Sequence, residues 1–194
     1  MKKVFLFAAV AALGLSSCQK TSDMEDKLFV QKAPQQEEKI PIAKVTESGD
    51  IELLFYQKDV QEAFNKENSD LKLGFVEVQD DSKTGKNAGL LFQLYDEKNG
   101  VKETSVSQIL TFDDGVYYAP PATSLQNAGG GYSATSITCS TNCSWEKGCV
   151  PKKSGNTWIC SESSCSCTKS ITTSTDFRVA NLVSAINCAV LVYR

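Results

Sequence analysis

The stretch CSTNCSWEKGCVPKKSGNTWICSESSCSC holds six cysteines in 29 residues: Cys139, Cys143, Cys149, Cys160, Cys165 and Cys167. Thiols at this density can be disulfide staples, a metal cage or a redox pair. Zinc sites combine paired C-x2-4-C ligands, often with histidine. Cys139 and Cys143 fit that spacing, but Cys165 and Cys167 are too close together, and the chain contains no histidine. No C-x-x-C redox motif is present either. A segment this short cannot bury a self-sufficient core, so it needs staples or a metal. Six cysteines allow fifteen pairings, or twelve without a cramped Cys165–Cys167 ring. The spacing does not choose among them.

The absence of histidine also bounds catalysis. It removes the usual general base at neutral pH and the commonest metal ligand. Ser-His-Asp and Cys-His chemistry is excluded, and Lys- or carboxylate-based chemistry finds no support. Two acid pairs, Asp80-Asp81 and Asp113-Asp114, lie in turn-rich stretches where aspartate is favoured for its side-chain to backbone bonds. They are read as turn residues. We assign no catalytic residue, no metal ligand and no cofactor from the sequence.

The redox question turns on the compartment, and the other end of the chain addresses it. MKKVFLFAAVAALGLSSCQK opens with two lysines and an apolar run too short to span a bilayer, the pattern of a secretory leader. Leu15-Ser16-Ser17-Cys18 resembles the lipobox of bacterial lipoproteins. The resemblance implies cleavage before Cys18, a diacylglyceryl thioether on its sulfur, and acylation of the new N-terminus. Several acyl chains at one site give lasting attachment, where a single chain is marginal. Gln19 stands where an inner-membrane retention signal would place Asp, which favours the outer membrane. Asp23, Glu25 and Asp26 are similar to the acidic export signal of surface lipoproteins in the Bacteroidota, leaving periplasmic and surface display open. Exported thiols oxidise, so staples are the favoured reading of the cluster. Metal or thiol handling through Cys165-Ser166-Cys167 stands as the alternative.

Cleavage would remove Lys2 and Lys3 and take the formal charge from −3 to −5. A mildly acidic chain without a basic stripe gives no electrostatic reason to bind nucleic acid.

The elements follow from periodicity. Residues 1–17 are the leader, and 18–39 form the lipidated terminus and a polar tether. Residues 40–122 read as a small α+β body: a first strand in KIPIAKV and an amphipathic helix over 58–68 with Val60 and Phe64 four apart. An antiparallel meander follows through LKLGFVEV, GLLFQLYD, VKETSVSQILTF and VYYA. Asn-Gly in EKNG and Asp-Asp-Gly at 113–115 mark hairpin turns. Residues 123–138 are rich in Gly and Ser and read as a linker, and 139–169 are the disulfide-rich module. The apolar tail, 170–194, is expected to fold back on the body as a helix over 176–187 and a strand over 188–193, with Cys188 a buried free thiol.

Within the module, Ser154-Gly155-Asn156 suggests a hairpin tip with Lys152 and Lys153 on one arm and Trp158 on the other. Trp145, Trp158, Lys152 and Lys153 are therefore candidate binding residues. The competing reading has both indoles covering the disulfides as a miniature core. The chain as a whole resembles small lipoproteins of the Bacteroidota that end in a cysteine-rich segment. That resemblance implies a lipid-anchored envelope protein. A non-enzymatic protein- or glycan-binding role is the favoured reading, beside the metal- or thiol-handling alternative and a purely structural one.

Overall fold

The computed structural model describes residues 39–80, 82–85, 88–126, 135–142, 149–154, 157–161, 167–172 and 177–192. The chain divides into Met1–Ala33 and Pro34–Arg194, and every described residue belongs to the second unit. Cys18 and its flanking leader and tether lie outside the described residues.

The meander forms its centre. Strands β3 (Leu71–Gln79), β4 (Gly89–Asp96) and β5 (Val101–Ser107) pair antiparallel, with Val76 opposite Phe92 and Phe92 opposite Ser105. Between β4 and β5 the Asp96 carboxylate accepts bonds from the Asn99 backbone N–H and Nδ2, and Gly100 takes the left-handed φ of 65° that closes the turn. The alternation in LKLGFVEV breaks at Gly74 because a bulge falls between Leu73 and Phe75. A Cβ there would stand 3.0 Å from Gln93 Oε1.

Beyond Ser107 the structure departs from a single meander. Residues 101–112 were expected as one strand, but the chain leaves the sheet and buries Ile109 in the core. It then forms β6 (Thr111–Asp113) and β7 (Val116–Ala119) in a second sheet. That sheet also takes β1 (Ile40–Val45) and β2 (Ile51–Leu53), in the order β2-β1-β7-β6. Asp114 and Gly115, at φ 44° and 77°, make the β6–β7 turn of the Asp-Gly type. The place beside β5 goes to β8 (Ser136–Thr141), and β11 (Thr168–Thr172) follows it, giving the order β11-β8-β5-β4-β3.

Helix α1 (Gln57–Glu67) buries Val60 and Phe64, as its spacing predicts. Its next face serves the sheet differently. Gln57, Gln61 and Asn65 recur every four residues and run along the β3 edge. Gln57 Nε2 donates to Val76 O (2.6 Å), and Gln57 Oε1 accepts from Val76 N (3.0 Å). Gln61 donates to Gly74 O, and Asn65 Oδ1 accepts from Leu73 N (2.8 Å). Side-chain amides thus take the place of a neighbouring strand and blunt this edge.

Of the described tail, residues 170–172 belong to β11 and the rest is helical. Helix α3 runs Phe177–Val192, so residues 188–192 continue it where a strand was expected. Val179, Leu182, Val183 and Ile186 are fully buried at helical spacing against α1 and α2 (Ala122–Gln126). Fully burying a side chain of this size contributes about 1.5–3 kcal/mol, which outweighs the β-propensity of the closing Ala-Val-Leu-Val. Among the described residues no helix is long and apolar enough to cross a membrane. Of the span expected as a linker, residues 123–126 belong to α2 and 136–138 to β8, while 127–134 lie outside the described residues.

Candidate functional site

The cysteine segment is laid onto the body sheet by its own first strand. Cross-strand register places Leu91, Val106, Ile137 and Ile171 in one row across β4, β5, β8 and β11. The adjacent row is Gln93, Thr104, Cys139 and Lys169. These side chains share the sheet face opposite Phe92 and Leu94, which belong to the main core. Leu91, Val106, Ile137 and Cys139 are nonetheless buried. They make a second, smaller apolar layer, and the cysteine module is its cover.

That cover is the hairpin of β9 (Pro151–Ser154) and β10 (Thr157–Cys160), which packs with β9 against β5 and β8 and β10 beside β11. The tip at 154–156 was legible as turn chemistry, and the register confirms the arms: Lys153 opposite Trp158, and Lys152 opposite Ile159. Ser161 N donates to Val150 O, and Val150 N to Ser161 Oγ, extending the ladder one step.

Two disulfides hold it there. Cys139 of β8 bonds Cys160 of β10, with Cα atoms 5.7 Å apart. Cys149, ahead of β9, bonds Cys167, ahead of β11, at the same Cα spacing. The two loops overlap in sequence, so each bond lies partly within the other's span. For closed loops near twenty residues each contributes about 3 kcal/mol in the chain-entropy account. Cys143 and Cys165 lie outside the described residues. Cys188 is disulfide-bonded rather than free, and its partner is not among the other described cysteines, which pair with one another. The bond at Cys167 also withdraws one thiol of the Cys165-Ser166-Cys167 pair from metal or thiol chemistry. Among the described residues no three of Cys, Asp and Glu converge as a metal cage would require.

The register separates the candidate binding residues. Cys160 points to the sheet to reach Cys139, so Trp158, two residues before it, shares that inner face with Lys153. Trp158 is half-buried, in keeping with an indole that covers the staple. Lys152 and Ile159 point outward instead. Lys152 is exposed, and Ile159 is 46% exposed. Trp145 lies outside the described residues. Sequence reasoning missed Ile159, Lys169 and Ile171. Ile171 ends its aliphatic row 56% exposed at the sheet edge, and Lys169 Nζ donates to Trp158 O at 2.9 Å. The signal for Ile159 was available, since a residue adjacent to an inward cysteine in a strand must face out.

Charge is divided between the two parts. Residues 39–126 carry nine lysines against fifteen carboxylates. Residues 135–172 carry four lysines, Lys147, Lys152, Lys153 and Lys169, against Glu146 and Glu162, a net positive balance. Asp113 closes β6, Asp114 stands in the β6–β7 turn and Asp80 is buried, while Asp81 lies outside the described residues. Burial alone would raise the Asp80 carboxyl. Bonds from Ser82, Gly85 and Tyr117 more than offset it and hold the group below its ordinary value.

A shallow cleft of about 350 Å³ lies between the β4–β5 turn and the start of α3, lined by Leu71, Leu94, Asp96, Asn99, Val101, Glu103 and Arg178. Its polar groups serve one another: Asp96 holds Asn99, and Glu103 pairs with Arg178. No family model, curated protein or solved structure matches this chain.

Proposed function

We propose that the chain is a lipid-anchored protein of the bacterial envelope, tethered to the outer membrane through Cys18, with a non-enzymatic binding role. The stapled hairpin is its recognition surface. The observation that carries the binding part is the division of charge. An acidic body presents, on a sheet face remote from its main core, a covalently clamped module whose four lysines outnumber its two glutamates. Disulfides support an exported location, because such bonds persist outside reducing compartments. A rigid loop pair with preset side chains loses little freedom on binding, and this is the economy that staples give a recognition surface. A protein or glycan ligand is the first expectation for that surface.

The test has two arms. Lipid labelling of wild type and Cys18→Ala reports the anchor: label and membrane attachment should be lost together in the variant. Capture of envelope components by the oxidised chain, compared with Lys152→Glu/Lys169→Glu, reports the surface. Capture that the double variant leaves unchanged would remove the module as the binding element.

A further inference from the structure

Five large hydrophobic side chains are exposed among the described residues, and two of them are Ile159 on the hairpin and Ile171 on the adjoining edge strand β11. Ile159 stands opposite Lys152 on the outer face of the hairpin. Ile171 is two residues from Lys169 on the same face of β11. Ile159 thus has a lysine across the strand pair, and Ile171 has one two residues along its own strand, with its ammonium on Trp158 O.

We propose that this surface docks onto an anionic lipid bilayer, so that the module makes a second membrane contact beside the acyl anchor. This deepens the binding role proposed above, because it rests on that same surface and names its partner. Three features select lipid over a glycan or an acidic protein. Glycan sites offer aromatic platforms and convergent hydrogen-bonding groups, but Trp158 turns inward and isoleucine has neither a stacking face nor a polar atom. Isoleucine does suit the boundary between headgroups and acyl chains, where binding grows with buried apolar area plus attraction to anionic lipid. The charge division then sets the orientation. An anionic surface attracts the module and repels the acidic body, so only the module side can approach. Tethering through the anchor would raise the local concentration of membrane seen by the module, letting a few side chains suffice.

The test uses the oxidised chain from Gln19 onward, which lacks the lipid and retains the whole compact unit Pro34–Arg194. Its outcome is thus independent of the anchor. Flotation is measured with phosphatidylcholine vesicles and with vesicles containing about 30% phosphatidylglycerol. Partition onto the anionic vesicles should be at least about tenfold greater and should collapse in high salt. Lys152→Glu/Lys169→Glu should abolish that preference, and Ile159→Ser/Ile171→Ser should lower partition at unchanged charge. The four positions are surface-exposed, and circular dichroism is the check that the variants are folded. Equal partition onto both vesicle types would overturn the proposal. So would binding to heparin or polyglutamate with no flotation, which would make a soluble polyanion the partner instead. Loss of Cys18 labelling in cells leaves this result untouched, so failure of the anchor and failure of the docking surface read out separately.

Discussion

The Tyr117 hydroxyl donates a hydrogen bond to Asp80 Oδ2 at 3.0 Å, joining β7 of the second sheet to the turn that ends β3 of the first. Asp80 also accepts from Ser82 N, Ser82 Oγ and Gly85 N. Phe112 lies against Tyr117, with ring centroids 4.7 Å apart, and fills the space where a Gly85 side chain would go. One buried carboxylate therefore organises a turn and fastens two sheets. Burial, followed by the Asp80 bond and its charge, pushes the Tyr117 hydroxyl up to about 12.

The pair gives stability a defined pH window. Asp80 is depressed in the folded state, so its contribution is complete above the unfolded carboxylate value and is lost as pH falls through the lower folded one. Tyr117 is raised, so its contribution is complete below its ordinary value of 10.0 and is lost as pH climbs towards about 12. Denaturant unfolding at a series of pH values should show a plateau between these limits. Tyr117→Phe should cost about 1–2 kcal/mol, since Asp80 keeps its other donors, and should flatten the alkaline limb. An unchanged alkaline limb in that variant would separate Tyr117 from the effect. Gly85→Ala should cost more than Tyr117→Phe, because its Cβ would fall 2.1 Å from Phe112 Cβ at a left-handed φ of 77°.

The amide ladder makes a second prediction. Gln57→Glu keeps an acceptor for Val76 N but removes the donor to Val76 O and sets a carboxylate oxygen against that carbonyl. It should destabilise by about 1–3 kcal/mol and leave part of the β3 edge open. Gln57→Glu/Gln61→Glu should therefore aggregate at lower concentrations than wild type, which light scattering would detect. Lys58→Glu, on an exposed part of the same helix, serves as the charge control. If both variants aggregate alike, net charge and not the edge would be responsible.

How far the sequence revealed this fold depends on how local each signal is. Val60 and Phe64 mark α1 at its own spacing, and Asn99-Gly100 and Asp114-Gly115 mark their hairpins, because periodicity and turn chemistry act over a few residues. The pairing of Ser105 with Thr138 is not written nearby, although their hydroxyls meet at 2.8 Å in the sheet interior. Two buried hydroxyls satisfy each other across 33 residues, and neither looks like a core residue by itself. The end of α3 was misread for a related reason: Ala-Val-Leu-Val suits a strand until α1 and α2 supply a helix-shaped slot. At the module, cysteine density pointed to the right segment. Its inner and outer faces became distinguishable only once Cys160 had a partner.

The staples make a third prediction. Peptide mapping without reduction should recover Cys139–Cys160 and Cys149–Cys167. Cys139→Ser/Cys160→Ser should lower stability by about 3 kcal/mol, release Trp158 to solvent and redden its emission. Strands β3 to β5 and helices α1 and α3 draw their burial from the main core, so most far-UV circular dichroism should survive. Loss of the whole fold in this variant would make the second apolar layer, with Ile137 and Val106, as necessary as the first.

The bond at Cys188 sets the anchor against the staples. The chain has eight cysteines, and a thioether on Cys18 leaves an odd number for disulfides. Cys139, Cys160, Cys149 and Cys167 are paired among themselves. Cys188 is bonded too, to a partner outside the described residues; the cysteines the sequence leaves for it are Cys18, Cys143 and Cys165. A lipidated chain allows only the latter two, and whichever of them Cys188 does not take is left as a thiol. Mature protein isolated from membranes under alkylating conditions should therefore show one blocked thiol after denaturation, at Cys143 or Cys165. A Cys188 peptide linked to the other should accompany it. Recovery of a Cys18–Cys188 peptide from the mature protein would be decisive the other way. One sulfur cannot carry both a lipid thioether and a disulfide, so that peptide would end the lipoprotein reading.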